Sequence, residues 1–486
     1  MSEAAQPKAS RRFLLVIAGL VTAGLLLALP APESLPELAR RAAVIGAFMA
    51  FLWVTEAVPL AATAMVPLVA FPLAGIASLE NSAVAYAHPL IFLFLGGFML
   101  GAAMERWQLH RRLALAAIFV SGRSPRALVL ALMCATAFLS LWVSNTATAM
   151  VMVPIAGSLI AARGSDENSH RSDDFGAALM LGIAFAATIG GMGSLIGTPP
   201  NALFAGYMEQ THGIAIGFGQ WMLIGLPIVL VLLPLTWLLL TRFTFRLSDC
   251  ELPEARFPPA SPTMSGPERI VAAVLVLTAL AWISRPFLSD ALGLTSLSDS
   301  GIAITAVLVL FLLPAQWRGE RALLEWNDVK GIRWDVLILF GGGLALANAI
   351  AATGLAEWIG GQVGSVRGLP VVLLVLAMMC IIVYLGELAS NTAVAAVFLP
   401  IGGAAAAGLG MDPVTLVLPV ALAASLGFML PVATPPNAIV YGTGAVTANQ
   451  MLKAGAVLDV VSILIAFGAV LVLGPLVFGT ASGLAR

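Results

Sequence analysis

The run Ser144-Asn145-Thr146-Ala147-x-Ala149, closed by Pro154, returns as Ser390-Asn391-Thr392-Ala393-x-Ala395, closed by Pro400. A second block repeats in step with it. Thr198-Pro199-Pro200-Asn201-Ala202 follows the first copy by 54 positions, and Thr434-Pro435-Pro436-Asn437-Ala438 follows the second by 44. The pairs Gly96-Gly97 and Gly341-Gly342 precede the two copies by 48 and 49 positions. The chain is therefore two halves of one design, and internal repetition of this kind sets the fold.

Sixty per cent of the residues are hydrophobic, 10% are charged and the mean hydropathy is +0.99. A soluble domain is about a quarter charged, so the expectation is an all-α polytopic membrane protein. At roughly 20 residues per crossing, the apolar stretches divide into about eleven spans and two re-entrant hairpins. The spans expected are 13–29, 42–58, 60–76, 89–105, 175–207 with a break, 219–241, 269–288, 300–315, 335–352, 413–444 with a break, and 455–478. Residues 13–29 follow Lys8, Arg11 and Arg12 as a signal-peptide core does, but a retained first span fits better because no small-x-small cleavage site clearly follows. A net charge of -1 offers no basic surface for nucleic acid. Cys134, Cys250 and Cys380 are odd in number and scattered, which argues against a disulfide framework and a thiolate metal site.

Residues 125–162 and 369–409 are too long for one span and carry Ser-Asn-Thr near their middle, so each reads as a helical hairpin that enters the membrane and turns back. With the N-terminus inside, nineteen of the 24 Lys and Arg fall on the inner side; only Arg40, Arg41, Arg285, Arg367 and Arg486 fall outside. That path puts the C-terminus outside, in the cell (inner) membrane, and starts the two hairpins from opposite faces. The halves are then an inverted repeat, the arrangement in which many transporters build a site at the bilayer midplane. The expected organisation is an N-terminal segment 1–41, a first repeat 42–246, a Pro-rich cytoplasmic linker 247–268 and a second repeat 269–486. Residues 106–122, Arg-bearing with an apolar face, read as a segment lying along the membrane surface.

Each Ser-Asn-Thr sits where backbone groups must turn at membrane depth, which is tolerated only against protein or a water-filled cavity. Ser, Asn and Thr cap the returning helix, whose free N–H groups then point toward the tip. Two facing helix starts would each favour an anion by roughly 0.3 to 2 kcal/mol. The alternative is a pair of caps and nothing more, which the duplication disfavours. Pro199-Pro200 and Pro435-Pro436 break helices, and the carbonyls freed at Gly197 and Ala433 are hard oxygen ligands for a small cation; a kink used only for packing is the other reading. Glu56, Glu105 and Asp459 read as interfacial or structural residues near span ends, and His88, His110, His170 and His212 form no relay.

Ala424-Ser425-x-x-Phe428-x-x-Pro431-Val432-Ala433-x-x-x-Asn437-x-Ile439-Val440 resembles the signature of the divalent anion/sodium symporters, the carriers of dicarboxylates, citrate or sulfate. The paired Ser-Asn-Thr motifs and Thr55-Glu56-Ala57-Val58-Pro59 are similar to the same family. The resemblance implies a homodimer with a scaffold domain and a transport domain that slides as an elevator. It implies that Ser144, Asn145, Thr146, Ser390, Asn391 and Thr392 contact substrate, with Thr198, Pro200, Thr434 and Pro435 beside them. One sodium would lie near Ser140, Ser144, Asn145 and Gly197. The other would lie near Gly386, Ala389, Asn391 and Ala433. Here the chain departs from the expected pattern: Ser140 precedes its motif by four residues, but the matching position is Gly386, without a hydroxyl. Glu387 next to it reads either as a compensating carboxylate or as a group satisfied by local hydrogen bonds.

No Lys or Arg lies within ten residues of either Ser-Asn-Thr, so a dianion is expected to meet dipoles but no fixed positive side chain. Bound sodium ions would supply that charge. Each net charge moved inward is driven by about 2.3 kcal/mol per 100 mV. The expectation is sodium-coupled symport of C4-dicarboxylates such as succinate, malate or fumarate, with Na+ as the co-transported ion and no organic cofactor. A sodium-independent di- or tricarboxylate exchanger, or a sodium-coupled sulfate or citrate carrier, is the alternative. An intramembrane enzyme would need a nucleophile with a base, or a metal cluster, and the sequence offers neither.

Overall fold

The structure, a computed structural model, describes residues 9–479 apart from 31, 123, 163–169, 246, 248–262, 294–295, 317–318, 320 and 365–369. The expected linker 247–268 lies mostly outside these residues, as do Cys250 and the basic residues Lys8, Arg123, Arg163, Arg246, Arg256, Arg318, Arg367 and Arg486. Cys134 and Cys380 are free thiols.

The first half runs α1 (Ala9–Ala28), α2 (Glu37–Thr55), α3 (Leu60–Thr63), α4 (Val66–Leu73), α5 (Leu79–Val84), α6 (Pro89–Arg106), α7 (Leu109–Ser121), α8 (Pro125–Ser140), α9 (Asn145–Ala162), α10 (His170–Gly191), α11 (Pro199–His212) and α12 (Phe218–Leu238). The second runs α13 (Gly266–Leu292), α14 (Asp299–Leu312), α15 (Trp334–Ala352), α16 (Leu355–Gly364), α17 (Val371–Gly386), α18 (Asn391–Gly408), α19 (Val414–Ala424), α20 (Pro435–Gly442) and α21 (Ala448–Phe478). Among the described residues the one β contact is an isolated bridge between Pro314 and Ala322. Nine of the described helices are long and apolar enough to cross a membrane: α1, α2, α6, α10, α12, α13, α15, α18 and α21.

Burial sorts these helices. From Phe175 onward α10 is apolar all round and buried, as is α19 along its whole length and as such helices must be, whereas α1 and α13 keep most of their surface exposed for lipid. The glycine pairs set helix spacing around this centre. A Cβ on Gly96 would lie 2.6 Å from the Cβ of Ala303 in α14, and one on Gly342 would strike the backbone of Ala64. Beside them, the Arg285 guanidinium meets Asp299 at 2.7 Å while the other oxygen of Asp299 accepts the N–H of Phe218 at 2.8 Å, tying α13, α14 and the start of α12 together.

Both expected hairpins form, α8 with α9 and α17 with α18, and both expected broken helices, α10–α11 and α19–α20. The expected single span 60–76 is instead two short helices, α3 and α4. Pro67 has no N–H to give the Thr63 carbonyl, so the first helix stops there. α16 has no counterpart among the expected spans. It lies between α15 and α17 as α7 lies between α6 and α8, and it packs so closely on α18 that Gly360 and Gly408 leave no room for a Cβ on either.

Candidate functional site

Four helix starts open onto one cavity of about 590 Å³. Asn145 and Thr146 begin α9, Thr198 and Pro199 begin α11, Asn391 and Thr392 begin α18, and Thr434 and Pro435 begin α20; all eight line it. Ser144, Gly197, Ala389, Ser390 and Ala433 complete the wall from the same tips and breaks. The volume falls in the range of small-molecule sites, and the unpaired N–H groups and positive dipole ends of first turns favour an anion there. Ser144 and Thr434 use their hydroxyls as caps, accepting from Ala147 N–H at 3.3 Å and Asn437 N–H at 3.4 Å. Their counterparts Ser390 and Thr198 make no capping bond. One hydroxyl of each repeated pair is thus not used in capping.

Beneath the first tip several oxygens gather. Ser140 is fully buried, and its Oγ lies 2.7 Å from the Asn145 side-chain oxygen and 2.7 Å from the Ala187 carbonyl. With its amide turned over, Asn145 donates instead to Ala187 O at 3.1 Å and Gly197 O at 3.2 Å. One amide can therefore either bond these carbonyls or add its own oxygen to them. One hydroxyl, one amide and two carbonyls, all uncharged, are the donor set a hard monovalent cation accepts. Gly191 makes the approach possible, because a Cβ there would strike the Asn145 amide.

The second tip is built differently. A Cβ on Gly386 would meet nothing closer than Asn391 Oδ1 and Leu426 O, both 3.7 Å away, and Asn391 Oδ1 is buried without a hydrogen-bond partner. Glu387 is buried and accepts the backbone N–H groups of Phe428 at 2.7 Å, Met429 at 3.0 Å and Leu430 at 2.8 Å. The local hydrogen bonds considered from the sequence are therefore present. The reason is the longer break, 425–434 against 192–198. In the short one, Met192 and Gly193 return their N–H groups to the carbonyls of Ile189 and Gly190. In the long one Ser425 and Leu426 do the same to Leu422 and Ala423, but the break runs on, and the carboxylate takes the further donors at Phe428, Met429 and Leu430. Asp459, expected near a span end, is instead fully buried and accepts the same Phe428 N–H at 3.2 Å.

Both breaks carry a brace that the sequence reading left unassigned. Asn201 donates to Ser194 O at 2.7 Å and Gly191 O at 3.2 Å, and Asn437 donates to Leu430 O at 3.1 Å and Gly427 O at 3.5 Å. The shared asparagine of the Thr-Pro-Pro-Asn block signals this role. Ser425 reaches across to Asn201 at 3.4 Å and the rings of Phe185 and Phe428 meet edge-on at 5.3 Å, so the two breaks support each other.

Two expectations change. Pro200 is buried and does not line the cavity; Pro199 does. Ser140 and Gly386, expected near sodium and not at the substrate, lie behind the wall. The expectation of no fixed positive side chain fails, because Arg333, 187 positions after Thr146 in the sequence, lines the cavity together with Asp335, Thr55 and Glu56. Glu56 holds a left-handed backbone, φ 47°, where α2 ends, a conformation uncommon for a side-chain-bearing residue; the Trp53 indole donates to Leu60 O at 3.1 Å across this turn.

Residues 10–479 match the family described as the sodium:sulfate symporter transmembrane region. The sodium-dependent dicarboxylate transporter SdcS of Staphylococcus aureus strain USA300 is 39% identical over 465 residues, spanning 92% of this chain and 88% of that one; SdcS of strain MRSA252 matches to the same extent. Among solved structures, the Alcanivorax borkumensis YdaH transporter aligns with a TM-score of 0.60 at 15% identity, covering 97% of this chain and 98% of that one. Neisseria gonorrhoeae MtrF aligns at 0.55 and 12% identity, covering 96% and 95%. At such identities the likeness is one of fold. The family match, nearly end to end, and the curated relatives together establish that this multi-pass membrane protein belongs to the sodium:sulfate symporter family, a family of transporters and not of enzymes.

Proposed function

We propose that the protein is a sodium-coupled symporter of C4-dicarboxylates such as succinate, malate or fumarate. The observation that carries this reading is the convergence of both Ser-Asn-Thr tips and both Thr-Pro starts on one cavity, behind which Ser140, Asn145, Ala187 and Gly197 gather oxygens. Two separated anion-binding ends suit a ligand charged at both ends better than sulfate, whose charge is compact. The SdcS relatives are sodium-dependent dicarboxylate transporters by name, which supports the same assignment. Ser144, Asn145 and Thr146 would hold one carboxylate and Ser390, Asn391 and Thr392 the other, with Thr198, Thr434 and Pro435 at the sides. Sodium beneath the first tip, and a second ion near Ala389, Asn391 and Ala433, would offset the dianion's charge, because helix ends recover only part of its hydration.

The two repeats 42–246 and 269–486 are taken as inverted, in a homodimer whose hairpins and broken helices move together as an elevator, with the N-terminus cytoplasmic. The second reading, a sodium-independent dicarboxylate exchanger, is favoured by Gly386 and the partnerless Asn391 Oδ1. Uptake of labelled succinate into proteoliposomes, with and without an inward sodium gradient and with and without internal succinate, separates the two. Uptake that requires outside sodium and no internal anion is the symporter's result; uptake that ignores sodium and requires internal anion is the exchanger's and removes the first reading.

A further inference from the structure

Arg333 is the cation shared by two cavities. Beside the 590 Å³ cavity lies a second of about 500 Å³, and Ser144, Thr146, Phe98 and Arg333 line both. The other charged groups on these walls are Glu56 and Asp335 in the first, and Glu105, Arg106 and Asp328 in the second. Arg106 is committed to Asp328 and to Glu325, the latter at 3.3 Å. Arg333 is held more loosely. Its Nε donates to Asp335 Oδ1 at 2.9 Å and its Nη2 to Oδ2 at 2.8 Å, on side chains 43% and 52% exposed. Its Nη1 edge has no protein partner among the described residues.

We infer that Arg333 is a carboxylate-binding residue at the mouth of the site on one face of the membrane, the cytoplasmic face on the Lys and Arg distribution. It meets a dicarboxylate between the bulk solution and the Ser144-Asn145-Thr146 tip. Asp335 occupies one edge of the guanidinium and presents its plane. An exposed pair of this kind contributes about 0 to 1 kcal/mol, so a substrate carboxylate can add to the free edge or displace Asp335 at small cost. The fork of a guanidinium matches a carboxylate in two hydrogen bonds, which a lysine cannot reproduce. Because Arg333 lies at the start of α15, outside the hairpins and broken helices, it stays behind when those elements move. Its effect is therefore confined to one face.

This inference rests on the transport reading above, and the test keeps the two apart. Succinate transport is measured in right-side-out and inverted membrane vesicles for the unmutated protein, Arg333→Gln, Arg333→Lys and Asp335→Asn. Arg333→Gln raises the KM on the Arg333 face by about five- to tenfold and leaves the KM on the opposite face unchanged. Arg333→Lys falls between Arg333→Gln and the unmutated protein, and Asp335→Asn lowers the KM on that face. Equal KM values for Arg333→Gln and the unmutated protein on both faces overturn the inference alone. An Asp335→Asn defect matching that of Arg333→Gln also overturns it, because the pair is then a structural unit. No dicarboxylate transport by the unmutated protein overturns the functional reading and this inference with it.

Discussion

Ser140 Oγ lies 2.7 Å from the side-chain oxygen of Asn145, five residues further along the chain, at the base of the first hairpin tip. The repeat has no counterpart to this contact. Asn391 faces the place where Gly386 has no side chain, and its Oδ1 is buried without a partner. The two tips therefore carry the same cavity-lining motif over unequal foundations. Whatever sodium does in this protein is expected to be asymmetric between the halves.

Ser140→Ala removes one oxygen from the first cluster and leaves the cavity wall intact, since Ser140 does not line it. The half-saturating sodium concentration for succinate uptake rises about tenfold, while KM for succinate at saturating sodium changes little. A sodium titration of uptake checks this. A mutant with unaltered sodium dependence and a raised succinate KM places the defect at the substrate and not at the ion.

Gly386→Ser supplies the missing hydroxyl in a space where a Cβ meets nothing closer than 3.7 Å. The serine oxygen comes near Asn391 Oδ1 and Leu426 O, as Ser140 does near Asn145 and Ala187. Half-saturating sodium falls about two- to fivefold. If the unmutated protein is an exchanger, the same substitution introduces sodium dependence. A variant that folds and transports with unchanged sodium response excludes Gly386 as the reason for any weakness at the second site.

Glu387→Ala orphans the N–H groups of Met429 and Leu430 and leaves that of Phe428 to Asp459 alone. Each buried donor left unmade costs about 1 to 3 kcal/mol, so with two such donors the loss of stability is about 2 kcal/mol or more, read as a lower midpoint in thermal or denaturant unfolding of the purified protein. Glu387→Gln keeps an acceptor oxygen but loses the charge and costs less. Stability equal to the unmutated protein, with sodium dependence lost instead, assigns the carboxylate to the ion and not to the break.

Much of this was legible from repeated words in the chain. Ser-Asn-Thr and Thr-Pro-Pro-Asn, each twice, locate both hairpin tips and both breaks, because a turn at membrane depth demands capping residues and proline pairs whatever surrounds it. The glycine pairs mark close helix contacts for the same local reason. What the sequence does not carry is the partner in space. Arg333 stands far from either motif along the chain and reaches the cavity only because α15 delivers it there. Asp459 reads as an ordinary acid near a span end until α21 is placed against the second break, where its carboxyl meets Phe428 N–H. Glu387 could be read two ways because its partners are backbone groups, which have no letter in the sequence.

The central claim is that both tips hold one dianion together with sodium. Equilibrium binding of labelled succinate to purified protein, measured against sodium concentration for the unmutated chain, Asn145→Ala and Asn391→Ala, tests it most directly, with monodispersity of each sample checked in parallel. The account predicts sodium-dependent binding in the unmutated protein and loss of about 2 kcal/mol or more of binding free energy in each mutant. Unmutated-like binding in both folded mutants would contradict it.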